Sequence, residues 1–251
     1  MSTADSPEKF DFKEGYRRGL AKTDLNSRLS SVIKLVSSDA VPKPRKRLLD
    51  IGCGDCSFTV ELGKTLQSEE LYGQDLSDRS FEEARRRGVI MKVHDVDTDL
   101  PFSDHTFDFV FCGSLIEVVG NPDRLIEEVH RILKNDGYAV FTHPNHASWG
   151  SRLALMLGYQ PFYDRVSTRY DLGKIFRRPS KGASSGFIRL YTKRTFGQFL
   201  ALYGFDVVRV VGAKSEGFGK ILSSLDSVFS RSPSLAFQVL WLVRPGRASG
   251  A

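Results

Sequence analysis

Residues 48–57 read LLDIGCGDCS and hold two overlapping patterns with chemical meaning. In Asp50-Ile51-Gly52-Cys53-Gly54, an acid and two glycines close a short apolar run that reads as a buried strand. Glycine adopts positive φ freely and leaves no Cβ in a ligand's way, so a turn of this kind suits a nucleotide-like cofactor. Cys53-Gly54-Asp55-Cys56 is a C-x-x-C, the spacing that shuttles disulfides or grips zinc.

Residues downstream decide between the two. Asp75 ends a second apolar run 21 residues beyond Gly54, where an acid accepts hydrogen bonds from ribose hydroxyls. Asp95 closes a third such run and is placed to meet the next part of the same ligand. Three successive strands ending in an acid, with glycines at the first, form a constellation. The cysteine readings are weaker. Cys53 sits between glycines that the turn requires, and nothing else in the chain resembles a thioredoxin fold. Zinc could gather Cys53, Cys56, Cys112 and His143 or His146 from neighbouring strand ends, but it would then fill the cofactor's own pocket, so no metal is expected.

The elements that must position these groups alternate. RLLDI, LYGQD, VIMKVHD, FDFVFCG and YAVFTH read as strands. Between them SFTVELGKTL, with Ser57 as N-cap, SDRSFEEARRRG, and PDRLIEEVHRILKNDG, opened by Pro122 and closed by Gly137, read as helices. This rhythm predicts right-handed crossovers and a doubly wound α/β sheet with helices on both faces. Residues 1–46 form an N-terminal cap with a helical pattern through Leu25, Leu29, Val32, Ile33 and Val36; residues 47–143 form the cofactor-binding core. The rhythm breaks over 144–194, an insertion expected to be a substrate lid, and returns over 195–251 with TFGQFLALYG, FDVVRVVGA and SLAFQVLWLVRP to complete the sheet.

LLDIGCG, YGQD, HDVDTDLPFSDHTFDFVFC and RILKNDGYAVFTHPN together resemble the successive motifs of class I S-adenosylmethionine-dependent methyltransferases, in particular the methyltransferase type 11 group. The resemblance implies a Rossmann-like seven-stranded sheet, mostly parallel, whose last strand, SLAFQVLWLV, is reversed. It implies S-adenosylmethionine as cofactor, with Gly52 and Gly54 beside its methionine part and Asp50 orienting that loop. It further implies that Asp75 takes the ribose hydroxyls, Leu76 packs on adenine, Asp95 and Val96 meet the adenine edge, and Cys112 offers its carbonyl near the methionine amine. The chain departs from the group's pattern twice: Cys56 replaces a common third glycine, and Val118 stands where relatives often carry histidine after a glutamate.

A sulfonium is an activated methyl donor, so the enzyme's main task is to align a nucleophile and exclude water. His143, at the end of the fifth strand, is the candidate general base, with His146 in the same loop; Glu117 is a weaker candidate for that role and reads rather as an acid at a helix start. The lid couples an apolar stretch, Leu153 to Leu157 with Tyr159, Phe162 and Tyr163, to a basic cluster. Between Gly150 and Thr195 ten Lys and Arg face two Asp, a local +8 in a chain whose total is +6. That pairing suits a small-molecule or lipid-like anionic acceptor and peripheral contact with an anionic membrane surface. An RNA methyltransferase using the basic lid is the alternative, although CGSLIE lacks the proline-aromatic motif of base-modifying relatives; a nicotinamide-dependent oxidoreductase lacks its third glycine. No apolar run is long enough to span a membrane, no secretory signal is visible, and an odd cysteine count argues against a disulfide framework, so a cytoplasmic setting is expected.

Overall fold

The computed structural model describes residues 25–78, 81–164, 166–167, 170–175, 180–181, 187–215 and 220–246. Residues 1–24 of the expected cap, and Arg165, Arg169, Arg177 and Arg178 of the lid, lie outside the described residues. The chain runs α1 (Leu25–Ser37), β1 (Arg47–Ile51), α2 (Ser57–Leu66), β2 (Glu70–Asp75), α3 (Phe81–Arg86), β3 (Val89–Val93), β4 (Phe107–Gly113), α4 (Pro122–Ile132) and β5 (Leu133–Pro144). The insertion holds α5 (Trp149–Met156), β6 (Tyr170–Asp171) and β7 (Ser180–Lys181). It is followed by α6 (Lys193–Leu202), β8 (Phe205–Ala213), α7 (Lys220–Phe229) and β9 (Gln238–Pro245).

Seven strands form one sheet in the order β3-β2-β1-β4-β5-β9-β8, and β6 pairs with β7 separately. β1 is parallel to both β2 and β4, while β9 is antiparallel to both β5 and β8. The reversed strand is therefore the last one, as the resemblance implies. Chain order turns around at β1 and β4, which places the ligand crevice of an open α/β sheet beyond the carboxyl ends of those two strands.

Strand alternation sorts the core onto two faces. Leu49, Phe107, Phe141 and Trp241 pack with Leu125 and Val129 of α4 and Phe196 of α6. Leu48, Phe109, Val140 and Leu240 pack with Val32 and Val36 of α1 and Leu62 of α2. Fully burying a side chain of this size contributes roughly 2 kcal/mol, so both faces are anchored by many such contributions.

Several expected boundaries move. The helix expected to reach Gly137 stops at Ile132, because Leu133 turns extended (φ −73°, ψ 139°) and pairs with Phe107. β5 thus begins before YAVFTH, with a register shift at Phe107 and Phe109 absorbing the extra residues. The third strand closes at Val93, two residues short of Asp95.

Candidate functional site

The glycine turn is held from below. Gly52 N and Cys53 N both donate to the Gln74 carbonyl of β2, at 2.7 and 3.1 Å. Gly52 and Gly54 have φ of +78° and +53°, and a Cβ built on Gly54 would meet nothing within 4 Å. At Gly54 the turn therefore presents bare backbone to open space, which is the surface a close-approaching ligand needs, whereas a Cβ on Gly52 would touch Leu115 at 3.6 Å. Cys56, where relatives carry a third glycine, keeps glycine's conformation at φ +59°. It occupies the N-cap of α2 with no side-chain cap, so Ser57 is the first helical residue rather than the cap expected from the sequence. Asp55 Oδ1 supplies the acceptor instead, taking Ser57 N at 3.1 Å.

Asp75 joins this turn to the second strand. Its Oδ2 accepts from Gly54 N at 3.0 Å and its Oδ1 from Ser77 N at 3.1 Å, and the half-buried carboxylate keeps lone pairs for hydroxyl donors. Leu76, next to it, is half-buried. Asp50 sits beneath the turn, fully buried, accepting from Thr59 Oγ1 at 2.7 Å. Burial pushes its carboxyl up to about 7, with Asp75 adding to the rise and Thr59 and Arg28 opposing it. Asp95 accepts from Asp97 N at 3.1 Å and so shapes its own loop, while the partly buried Val96 packs on the core. Cys112 is buried in β4 opposite Ile51, its thiol pushed well above the usual range by burial first. The structure thus bonds Asp75 to Gly54, ties Gly52 to the adjoining Gln74 carbonyl, sets Asp50 under them, and brings Cys112 to the facing strand end.

The cysteine pair lies under the turn. A Cβ on Gly73 would stand 2.8 Å from Cys53 Sγ and 3.1 Å from Cys56 Sγ, so both sulfurs fill space that glycine leaves in β2. All three cysteines are free thiols. Among the described residues no group of three or more His, Cys, Asp and Glu could hold a metal ion.

His143 does not meet its expected role. It is fully buried on the α6 face, its Nδ1 donates to the Pro144 carbonyl at 2.9 Å, and its Nε2 accepts from Trp241 Nε1 at 3.1 Å. Burial lowers its pKa to about 4. Neither ring nitrogen is left for a substrate proton, because β5 alternation sends residue 143 to the same side as Ala139 and Phe141. Replacing His143 by phenylalanine is expected to cost about 1–3 kcal/mol in urea unfolding, the toll of a buried indole N–H without an acceptor. Unchanged stability would show that the Trp241 bond contributes nothing.

Sequence reasoning missed Arg28. α1 brings its guanidinium to the crevice, where Nη1 donates to Ser114 Oγ and its charge acts on both Asp50 and Glu117. Only the amphipathic pattern of α1 was visible, and that pattern says nothing about a half-buried arginine. Ser114 holds φ +51° just past β4, its N donating to the Thr142 carbonyl and hydroxyl.

Residues 49–141 match the family model described as a methyltransferase domain. The chain is similar to a demethylmenaquinone methyltransferase of Geobacillus kaustophilus, 31% identical over 102 residues, 38% of this chain and 44% of that protein. It is also similar to a malonyl-[acyl-carrier protein] O-methyltransferase of Legionella pneumophila, 32% identical over 101 residues, 39% and 36% of the two chains. The chain thus spans about half the length, or less, of these curated relatives. A solved S-adenosylmethionine-dependent methyltransferase of Aquifex aeolicus shares the fold at a TM-score of 0.55 and 16% identity, covering 94% of this chain and 98% of that one.

Proposed function

We propose, for a chain whose residues 49–141 belong to the class I S-adenosylmethionine-dependent methyltransferase family, that it transfers a methyl group to a small, lipid-like acceptor. The observation that carries this reading is the pinned glycine turn, with Gly54 N tied to Asp75 and open space above it. The donor set fits an adenosyl sulfonium. Gly52 and Gly54 would face its methionine part over Asp50, and Cys112 would offer its carbonyl there. Asp75 would hold the ribose hydroxyls, Leu76 would pack on adenine, and Asp95 with Val96 would meet its edge. Arg28 is placed to neutralise a carboxylate at the same strand ends. The bound sulfonium supplies the activated methyl. The chain's own residues supply orientation and a dry crevice.

The division into cap 1–46, core 47–143, lid 144–194 and completion 195–251 belongs to the same reading, with the lid over the acceptor. Its floor is clamped to the C-terminal segment: Trp149 Nε1 donates to Asp226 Oδ1 at 2.8 Å and Asn145 Nδ2 to the Ala236 carbonyl at 2.9 Å. The outer face of α5 and the residue after it remain apolar and exposed, Leu155 by 58%, Met156 by 83% and Leu157 by 56%. Among the described residues, nine of the seventeen exposed large hydrophobic residues fall in the lid, whose sequence from Gly150 to Thr195 carries a net +8. That combination supports contact with an anionic membrane surface and an acceptor drawn from it. Among the described residues no helix is long and apolar enough to cross a membrane. Three free thiols suit the reducing cytoplasm. Two relatives whose printed names carry a quinone-type and an acyl-carrier acceptor agree with a lipid-like class.

Calorimetry with S-adenosylmethionine, followed by labelled-methyl transfer into fractionated cell extract, tests the reading. Binding, label in the lipid pool and sedimentation with phosphatidylglycerol vesicles are expected. No binding by the folded protein overturns the methyltransferase reading; label in the nucleic-acid pool replaces the acceptor class with RNA or DNA.

A further inference from the structure

Glu117 follows β4 by four residues and is fully buried, and neither of its carboxylate oxygens has a hydrogen-bond partner among the described residues. A buried polar group in that condition is costly and rare, and it needs an explanation beyond packing. Its surroundings give one. The Glu117 main-chain carbonyl accepts from Ile188 N at 2.8 Å and Arg189 N at 3.1 Å. The Arg189 guanidinium then donates to the carbonyls of Val119 at 2.8 Å and Gly120 at 3.0 Å. The last stretch of the lid is thereby strapped onto the turn that carries Glu117.

The same strap reaches the loop after β5. Tyr191 bridges Asn145, and His146 N donates to the Tyr191 carbonyl at 3.0 Å. His146 Nδ1 is also buried without a partner. Two unsatisfied ionisable side chains therefore flank one strap across the ends of neighbouring strands β4 and β5, beside Ser114 and Arg28. The acid of the crevice's cofactor side, Asp50, is already engaged by Thr59.

We propose that Glu117 is the proton acceptor for the methyl-accepting group, which is then a weakly acidic hydroxyl and not a carboxylate. This rests on the methyltransferase reading above. As the acceptor oxygen bonds to the methyl carbon, the carbon–sulfur bond breaks and its electron pair returns to sulfur, giving a neutral thioether. The hydroxyl proton passes to a Glu117 oxygen, so the sulfonium's positive charge and the carboxylate's negative charge vanish together. An acceptor carboxylate has no proton to give, and a second anion beside a buried Glu117 is repelled. Its own main-chain N–H, Arg28 from α1 and the Ser114 hydroxyl all act to lower the Glu117 carboxyl, while its charge in turn raises Cys112 of β4 and Tyr191 of the strap. Burial dominates among these influences and holds its carboxyl up at about 7, where a general base for a weak acid works best.

The test uses the full chain, tritiated-methyl S-adenosylmethionine and whole-cell extract as the acceptor source. Calorimetry comes first: failure of the folded wild type to bind S-adenosylmethionine ends the methyltransferase reading itself. Glu117→Gln is expected to bind S-adenosylmethionine within about threefold of wild type, to transfer methyl about 100-fold more slowly, and to lose the acid limb of the rate profile near neutrality. The labelled product is expected to survive mild alkali. Carbon-13 NMR of carboxyl-labelled glutamate, read as the difference between wild type and variant, is expected to show one carboxyl titrating near neutrality. Undiminished transfer by Glu117→Gln, label released by alkali as methanol from a methyl ester, or a Glu117 titration in the ordinary carboxylate range would each overturn the proposal.

Discussion

Replacing Asp75 by alanine is expected to weaken S-adenosylmethionine binding about 100-fold. Two ribose hydroxyls donating to one carboxylate are charge-assisted bonds, each about 1.5–3 kcal/mol, and every 1.4 kcal/mol is tenfold in affinity. Asp75 also anchors Gly54 N, so the variant loosens the turn proposed to face the ligand. The fold itself should suffer far less. Asp75 is half-buried, and the turn keeps both of its bonds to the Gln74 carbonyl. Calorimetry beside thermal unfolding separates the two: a folded variant that binds as tightly as wild type would remove Asp75 from the site.

The second large effect concerns stability. Glu117 holds its proton up to about pH 7 when folded, whereas an unfolded glutamate releases it near 4.3. Between those values the folded state binds more protons than the unfolded one, so stability falls as pH rises through that window and levels off above about 7. The penalty at pH 8 is on the order of 3 kcal/mol, and glutamine of the same shape carries none of it. Glu117→Gln is therefore expected to gain about 2 kcal/mol at pH 8, roughly 5 °C in Tm, and almost nothing at pH 4.5. Asp50, raised in the same way, leaves part of the pH dependence in the variant. Equal melting temperatures at pH 8 would show that Glu117 is solvated or paired in solution. A more stable, slower enzyme is the pattern expected where a group is retained for chemistry at the expense of the fold.

The sheet and the glycine turn were legible because local rules and tertiary demands agree there. Glycines and an acid at a strand end, followed by a second strand that closes on Asp75, can be read from spacing alone, although the third strand stops at Val93 before its acid; α2 and β8 fall on the residues their patterns predict. The acceptor side was not legible. His143 had the right type at the right strand end, but which face a residue meets depends on β9 placing Trp241 beside it. Glu117 reads as an acid at a helix start; Arg28 of α1, which acts on its charge, and the strap bonded to its main chain are both distant in sequence. Arg28 offered no signal, since an arginine on an amphipathic helix is ordinarily solvated. The cysteine pair misled because its spacing is a by-product of the turn: both sulfurs pack against Gly73.

Because β9 threads between β5 and β8, the ribosome delivers the sheet's two ends before the piece that joins them. Strands β1 to β5 and the crevice they form can assemble early, from the part of the chain emerging first. β8 must wait unpaired, its edge open, until residues 238–245 arrive. A nascent chain stalled between residues 213 and 238 would carry a formed crevice beside two bare sheet edges, a species for which chaperone capture competes with aggregation.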